Sequence, residues 1–323
     1  MYKVLLNFFI FLKLYFFIFC NSVFSNDFNN FKNSLIQEGL KYGISNKVLK
    51  ENIYPIKNIN TKVLELYNNQ PEFKITFRDY QKRNINTKRI EKGKRLLVKH
   101  KDIFNQIKTK YSVPAEIIVA IWALESNFGY FTGSFNIIEA LTTLSFESRR
   151  KKFFKKELFN ALKILENNYI DSNSLKGSWA GAMGQSQFMP SSYLNYAVDF
   201  DNDGKLDIWN SNADVFASIA NYLKAHGWKK NEPWSFEIKE FKENSINLKK
   251  KYTIKDLKSN ILLEQDISYL ANNVTAQVKR IESSNNVEDF LVFKNFLVLK
   301  KYNNSDFYAL TVGALANKIK LKK

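Results

Sequence analysis

Cysteine is nearly absent from this sequence: Cys20 is the only one in 323 residues, and it falls inside an N-terminal apolar stretch. Neither a disulfide framework nor a cysteine-built metal centre can therefore organise the rest of the chain. Histidine is almost as scarce, and His100 and His226 are too few for a histidine-built metal centre. Each reads as an ordinary surface or helix-end residue. With 5 Pro and 11 Gly the chain is neither collagen-like nor of low complexity, and no internal repeat runs at a fixed period. Acids are outnumbered, 31 against 49 Lys and Arg, which leaves a formal net charge of +18. A long unbroken apolar run is missing too, because Lys13 interrupts the stretch from Val4 to Phe19, and a spanning helix needs about 20 apolar residues.

What is present is hydrophobic content of 45%, with 28 Phe and 16 Tyr, enough for a sizeable core in one large domain or two to three lobes. Residues 1–25 read as a secretory leader, with Lys3 at its start and cleavage after Val23-Phe24-Ser25. An uncleaved anchor is the rival reading. Lipidation at Cys20 is the lesser one, because Phe19 stands where a small residue is usual. Losing Lys3 and Lys13 with the leader lowers the net charge to +16. Such a charge suits a polyanionic partner, and export removes nucleic acid in favour of a carboxylate-rich envelope polymer or an anionic membrane surface. Runs such as Arg149-Arg150-Lys151-Lys152 and Lys249-Lys250-Lys251 can equally be solvated faces.

The pattern predicts a mainly α fold with a small β part. Residues 26–110 are polar, lysine-rich and helical in spacing, an outer helical lobe with a break near Pro71 and the Thr76-to-Thr87 stretch. Ser112-Val113-Pro114 predicts a serine cap with proline in the first turn of a helix that Gly129 ends. Its Ile117-to-Leu124 segment is apolar all round, which places it inside a core. Further helices are expected over Asn136–Leu144, Lys152–Asn167 and Asp214–Ala225, within a core lobe spanning 111–232. Short β-branched runs (Phe236-Glu237-Ile238, Tyr252-Thr253-Ile254, Val292-Phe293) predict a small sheet over 233–300. In 301–323, a helix from Phe307 to Ile319 should pack back on the core through Leu310, Val312 and Leu315.

Glu125 follows the eight-residue apolar run directly. Burial against Trp122 and Phe128 and the negative end of the helix dipole both disfavour its anion, as suits a proton donor to a leaving oxygen. On spacing alone, a helix-end glutamate facing solvent or paired with lysine fits equally well. Glu116, Glu139, Glu147, Glu157 and Glu166 read as surface acids, and no Asp occurs between Asn105 and Tyr169. From Gly177 to Tyr193, glycines interleave with amides, hydroxyls and aromatics, as in a sugar-binding cleft wall or a tightly packed loop-to-helix junction. Asp199, Asp201 and Asp203, with Gly204, match the first half of a calcium loop. Asn210 stands where the closing glutamate belongs, so Asp214 would have to close an enlarged loop, and the alternative is an Asx-rich turn needing no ion.

Several ordered motifs together resemble the membrane-bound lytic transglycosylase B family: Val113 to Ile118, Glu125-Ser126-Asn127-Phe128-Gly129, Ala140 to Leu144, Gly181-Ala182-Met183-Gly184, and Gln187 to Tyr193. Tyr196 to Phe200, Ala220 to Trp228 and Tyr302-Asn303-Asn304-Ser305 continue it. The resemblance is strong from Ser112 to Trp228, moderate in the last twenty-odd residues and weak elsewhere. It implies a lysozyme-like helical core and cleavage between N-acetylmuramic acid and N-acetylglucosamine in peptidoglycan strands, with a 1,6-anhydromuramyl product. It also implies Glu125 as the single catalytic acid/base and Ser178, Gln187, Tyr222, Tyr302, Asn303 and Tyr308 as saccharide-groove residues. No redox cofactor is expected. An enlarged calcium loop occurs in some members, a monomer is expected, and a water-using hydrolase or a silent peptidoglycan binder are the rival functions.

Overall fold

The computed structural model describes residues 27–69, 75–241, 247–248, 250–258, 261–263, 267–283 and 286–321. The expected leader, Cys20 and Pro71 lie outside them. Helices dominate and a small sheet forms late in the chain, as the pattern predicts, and the chain divides into two compact units.

The first unit joins the described residues up to 69 to Thr132–Asn195. The other takes those from 75 to Phe131 and from Tyr196 onward. In chain order the elements are α1 (27–41), α2 (Asn46–Ile53), α3 (Thr61–Asn68), α4 (Phe77–Asn84), α5 (Thr87–Lys99), α6 (Lys101–Tyr111) and α7 (Ala115–Ser126). Next come β1 (Phe135–Asn136), α8 (Ile137–Glu147), α9 (Lys151–Glu166), β2 (Lys176–Gly177), α10 (Pro190–Tyr196) and α11 (Asn212–Ala225). Finally β3 (Ser235–Phe241), β4 (Lys251–Thr253), α12 (Ile254–Lys258), β5 (Ile261–Leu263), β6 (Thr275–Ser283) and β7 (Asn286–Val292) lead to α13 (Lys294–Tyr302) and α14 (Asp306–Ile319).

Short polar side chains start many of these helices by accepting a backbone N–H that would otherwise lack a partner. Ser45 serves α2 in this way, Asn60 α3, Asn86 α5, Asn136 α8, Ser211 α11 and Ser305 α14. The expected serine cap at 112 is corrected. Ser112 closes α6 in the left-handed region, at φ 60°, and Pro114 is the residue before α7, with no side-chain cap. Proline needs none for itself, having no N–H to satisfy.

In the second unit α7 is the buried axis: Ile117 to Ala123 are all 3% exposed or less, as an all-round apolar helix requires. It packs among α5, α6, α11 and α14. The last helix, α14, packs on α7, and its Leu310, Val312 and Leu315 are buried. The contact is close enough to demand glycine: a Cβ on Gly313 would lie 2.3 Å from the Trp234 ring. The antiparallel sheet of this unit runs β4-β6-β7-β3-β5. Its apolar face, including Ile238, Val278 and Leu291, closes over Ile254 and Leu257 of α12.

In the first unit α8 packs on α9, and β1 pairs with β2 through Phe135 opposite Gly177. A Cβ on Gly133 would come within 2.1 Å of the Gly177 backbone, so this crossing admits no side chain. Among the described residues no helix is long and apolar enough to cross a membrane.

Candidate active site

Glu125 stands in the last turn of α7, half-buried. The buried run before it fixes its backbone, and the chain turns sharply after it. Asn127, Phe128 and Gly129 take φ of 50°, 61° and 80° in succession. Ser126 Oγ donates to Trp122 O at 3.2 Å and accepts from Gly129 N at 3.0 Å, which ties the corner to the helix.

One partner of Glu125 comes from the far end of the chain. Tyr308, in the first turn of α14 and 3% exposed, donates its O–H to Glu125 Oε1 at 2.5 Å. Burial first, and the adjacent Glu125 charge second, push the Tyr308 phenol well above its ordinary range, so it remains a neutral donor. Tyr302 behaves alike for the same reasons. Its ring lies parallel to that of Tyr308, with centroids 6.5 Å apart. Tyr222 then meets Tyr302 edge-on at 4.9 Å, and its O–H donates to Lys301 O at 2.5 Å. Asn303 is exposed, just beyond the end of α13. Four of the six expected groove residues thus gather in the unit that holds Glu125.

The link between α13 and α14 is anchored by Asp306, whose carboxylate meets Lys279 at 2.6 Å and Lys300 at 2.7 Å. Burial alone would raise the Asp306 carboxyl, but the two lysines outweigh it and hold it low.

The aromatic run continues beyond the residues expected from the sequence. Tyr196 meets Tyr222 at 5.0 Å, and His226 stacks on Tyr222 at 4.1 Å with its Nδ1 2.8 Å from Tyr222 O. Aromatic spacing along α11 was the available signal. Burial pushes the Tyr222 phenol up to about 12, with Tyr196 adding to the effect. Because an unfolded tyrosine ionises near pH ~10, folding favours the neutral phenol. Its stabilising contribution is complete below that pH and is lost as the pH rises toward the folded value, by up to about 1.4 kcal/mol per pH unit. Urea midpoints measured across this window should fall less steeply for Tyr222→Phe than for the wild type. Equal slopes would remove Tyr222 from the account of alkaline unfolding.

Ser178 and Gln187 lie in the first unit, each within the Gly177-to-Tyr193 wall. The Ser178 hydroxyl accepts from Ala182 N at 3.0 Å and keeps its own proton to give. Gln187 has φ 51°, and its Nε2 donates to Thr132 O at 3.1 Å and to Gly184 O at 2.9 Å. Its amide oxygen is what it can offer a ligand. The reading of Glu157 as a surface acid is corrected: it is 3% exposed and accepts from Ser191 N at 2.8 Å and Ser191 Oγ at 2.7 Å. That carboxylate satisfies the start of α10 and secures the end of the wall.

Of the expected calcium ligands, Asp199, Asp201 and Asp214 bring carboxylate oxygens within 4.8 Å of one another. Asp203 instead accepts Lys205 N at 2.9 Å. Asp214 is fully buried and accepts Phe200 N at 2.7 Å and Asp207 N at 2.9 Å. Burial raises its carboxyl above the ordinary range in spite of those bonds, and the charge of Asp201 adds to that. Three converging oxygen donors with one of them buried suit a hard divalent cation, whose charge would offset both effects.

Over residues 27–317 the chain matches the family described as the transglycosylase SLT domain. It is 34% identical over 294 residues to the membrane-bound lytic murein transglycosylase B of Escherichia coli K12, an overlap of 88% of this chain and 80% of that one. Among solved structures it resembles SltB3 of Pseudomonas aeruginosa in complex with NAG-anhNAM-pentapeptide, with a TM-score of 0.83 and 35% identity over 90% of this chain and 79% of that chain. The E. coli lytic transglycosylase Slt35 in complex with calcium matches with a TM-score of 0.76 and 32% identity, over 90% of this chain and 92% of that chain.

Proposed function

The chain belongs to the transglycosylase SLT family, and from that premise we propose that Glu125 is its single acid/base. The protein is an enzyme, a lytic murein transglycosylase with a lysozyme-like fold, and its substrate gives it an envelope location. The observation that carries the assignment is the Tyr308 hydroxyl donating to a carboxyl held at the end of a buried helix.

Protonated Glu125 gives its proton to the glycosidic oxygen between N-acetylmuramic acid and N-acetylglucosamine. The C1–O bond breaks and the N-acetylglucosamine side leaves with its hydroxyl restored. The sugar's own N-acetyl oxygen bonds to C1 and takes up the positive charge. Glu125, now ionised and steadied by the Tyr308 O–H, removes the proton of the C6 hydroxyl as that oxygen closes on C1 and displaces the N-acetyl oxygen. The product is a 1,6-anhydromuramyl end, and Glu125 is again protonated. No water is consumed, so a second carboxylate to orient one is not required, unlike the two-carboxylate glycosidases.

Tyr222, Tyr302 and Tyr308 are assigned to the glycan strand on this reading, supported by the run of rings that leads to Glu125, and Asn303 by the resemblance of its segment. Ser178 and Gln187 are assigned by the resemblance of their segment. The first 25 residues serve as an export leader to the periplasm, the enzyme acts as a monomer, and the net charge of +16 left once Lys3 and Lys13 go with the leader suits an anionic envelope polymer or membrane surface. Incubation of intact murein sacculi in 18O-labelled water, followed by mass analysis of the released muropeptides, tests the reaction. Unlabelled anhydro-muropeptides are expected, and labelled reducing ends would make the enzyme a hydrolase.

Calcium is assigned to Asp199, Asp201 and Asp214, where it would tie the 199–207 loop to the first turn of α11 and stabilise that corner without entering the reaction. At a hundredfold excess over its dissociation constant the ion should add about 2.7 kcal/mol, which corresponds to a rise in Tm of roughly 4 °C for a chain of this size. Calorimetry with and without calcium checks this, and Asp201→Asn should abolish the rise. A rise that persists in that variant would place the ion elsewhere.

A further inference from the structure

The corner after Glu125 carries three aromatic residues that are used in opposite ways. Phe128 is 7% exposed and meets Trp122 edge-on at 5.5 Å, which pins the corner into the core. Tyr130 and Phe131, by contrast, are 75% and 63% exposed. Their rings meet each other at 4.6 Å and 87°, so one broad face of each is directed away from its neighbour.

Their backbone is tightly held. Asn127 N donates to Ala123 O at 3.1 Å, Phe128 N to Trp122 O at 3.2 Å, and Phe131 N to Ser126 O at 2.8 Å. That last bond fixes Phe131 against the residue adjoining Glu125. Single exposed hydrophobics scattered over a surface call for no explanation. Two adjacent exposed rings on a corner whose backbone is bonded to the residue after the reacting acid are different, because the aromatic faces and the apolar C–H faces of a pyranose both leave water on contact.

We propose that Tyr130 and Phe131 form an aromatic platform that stacks on a sugar ring of the glycan strand beside the scissile bond, setting affinity for the strand and not the rate of bond cleavage. This rests on the reading of Glu125 as the glycan-cleaving acid. The rings touch no proton that moves in the reaction, so they act on binding that is equal in ground and transition states, which alters KM and leaves kcat in place.

The test uses full-length enzyme and soluble, uncrosslinked glycan strands, with the double variants Tyr130→Ser/Phe131→Ser and Tyr130→Phe/Phe131→Tyr. Thermal melts of both should match the wild type, since both side chains are exposed. The serine pair should raise KM about tenfold and leave kcat within about twofold, and the aromatic swap should restore KM. An unchanged KM in the serine pair, or a fall in kcat alone, would overturn the platform. So would an unchanged KM together with lost binding to phosphatidylglycerol vesicles, which would make the pair a membrane contact. Strand affinity is measured as well in a Glu125→Gln background. If the wild type releases no anhydro-muropeptides, the reaction assigned above fails, while a serine-dependent loss of strand affinity in that background still upholds the platform.

Discussion

Glu125→Gln is expected to lower kcat on murein sacculi by at least about 10⁴-fold, because one carboxyl performs both proton transfers and each is worth roughly 10²–10⁴. The change is nearly isosteric, and the amide oxygen can still accept the Tyr308 O–H that now meets Oε1 at 2.5 Å. Stability should therefore move little, and strand affinity should be retained. Release of anhydro-muropeptides and binding to soluble strands, measured on the same preparation, separate the two quantities. A variant within tenfold of the wild type in kcat would remove Glu125 from the chemistry. One that loses affinity and turnover together, with a lowered Tm, would mean that Glu125 is chiefly structural.

Tyr308→Phe should have the next largest effect, a fall in kcat of roughly 100-fold, in the range seen when one oriented donor to a developing charge is removed. Glu125 becomes an anion midway through the reaction, and a hydrogen bond to an ionised acceptor is stronger than one to a neutral acceptor. Burial and the Glu125 charge hold the Tyr308 phenol well above its usual range, so the donor stays protonated at any working pH. Steady-state kinetics on soluble strands decide the matter. A rise in KM with kcat preserved would make Tyr308 only a saccharide contact, the role its segment's resemblance implies, and would leave Glu125 without its positioning donor. Tyr302→Phe is the internal control, since Tyr302 stacks on Tyr308 at 6.5 Å.

These expectations differ in how far they can be read along the chain. Glu125 is legible because it is the one acid directly after an apolar run that cannot face water on any side. Tyr308 as its hydrogen-bond donor is not, because the partners are 183 residues apart and no local period connects them. Glu157 was misread for the same reason. Among the lysines of α9 it looks solvated, and only Ser191, 34 residues later, supplies the two donors that make its burial tolerable. In the acidic loop the carboxylate spacing is legible along the chain, whereas the convergence of Asp199, Asp201 and Asp214 and the bond from Lys205 N to Asp203 are set by the folded backbone.

By itself the sequence determined the mainly helical class, the buried axis α7, the small sheet and the acid at the end of that axis. Those features follow from local properties: side-chain polarity repeated at helical or strand spacing, and short polar residues at helix starts. The tertiary structure alone decided that the residues before 70 join Thr132–Asn195 while those from 75 to Phe131 join the unit of α7. It also decided that Tyr302 and Tyr308 close on Glu125, and that Tyr130 and Phe131 stand in water while Phe128 does not. The physical reason is that periodicity tells a helix which face must be covered, whereas the identity of the covering element is set by long-range packing that no single segment encodes.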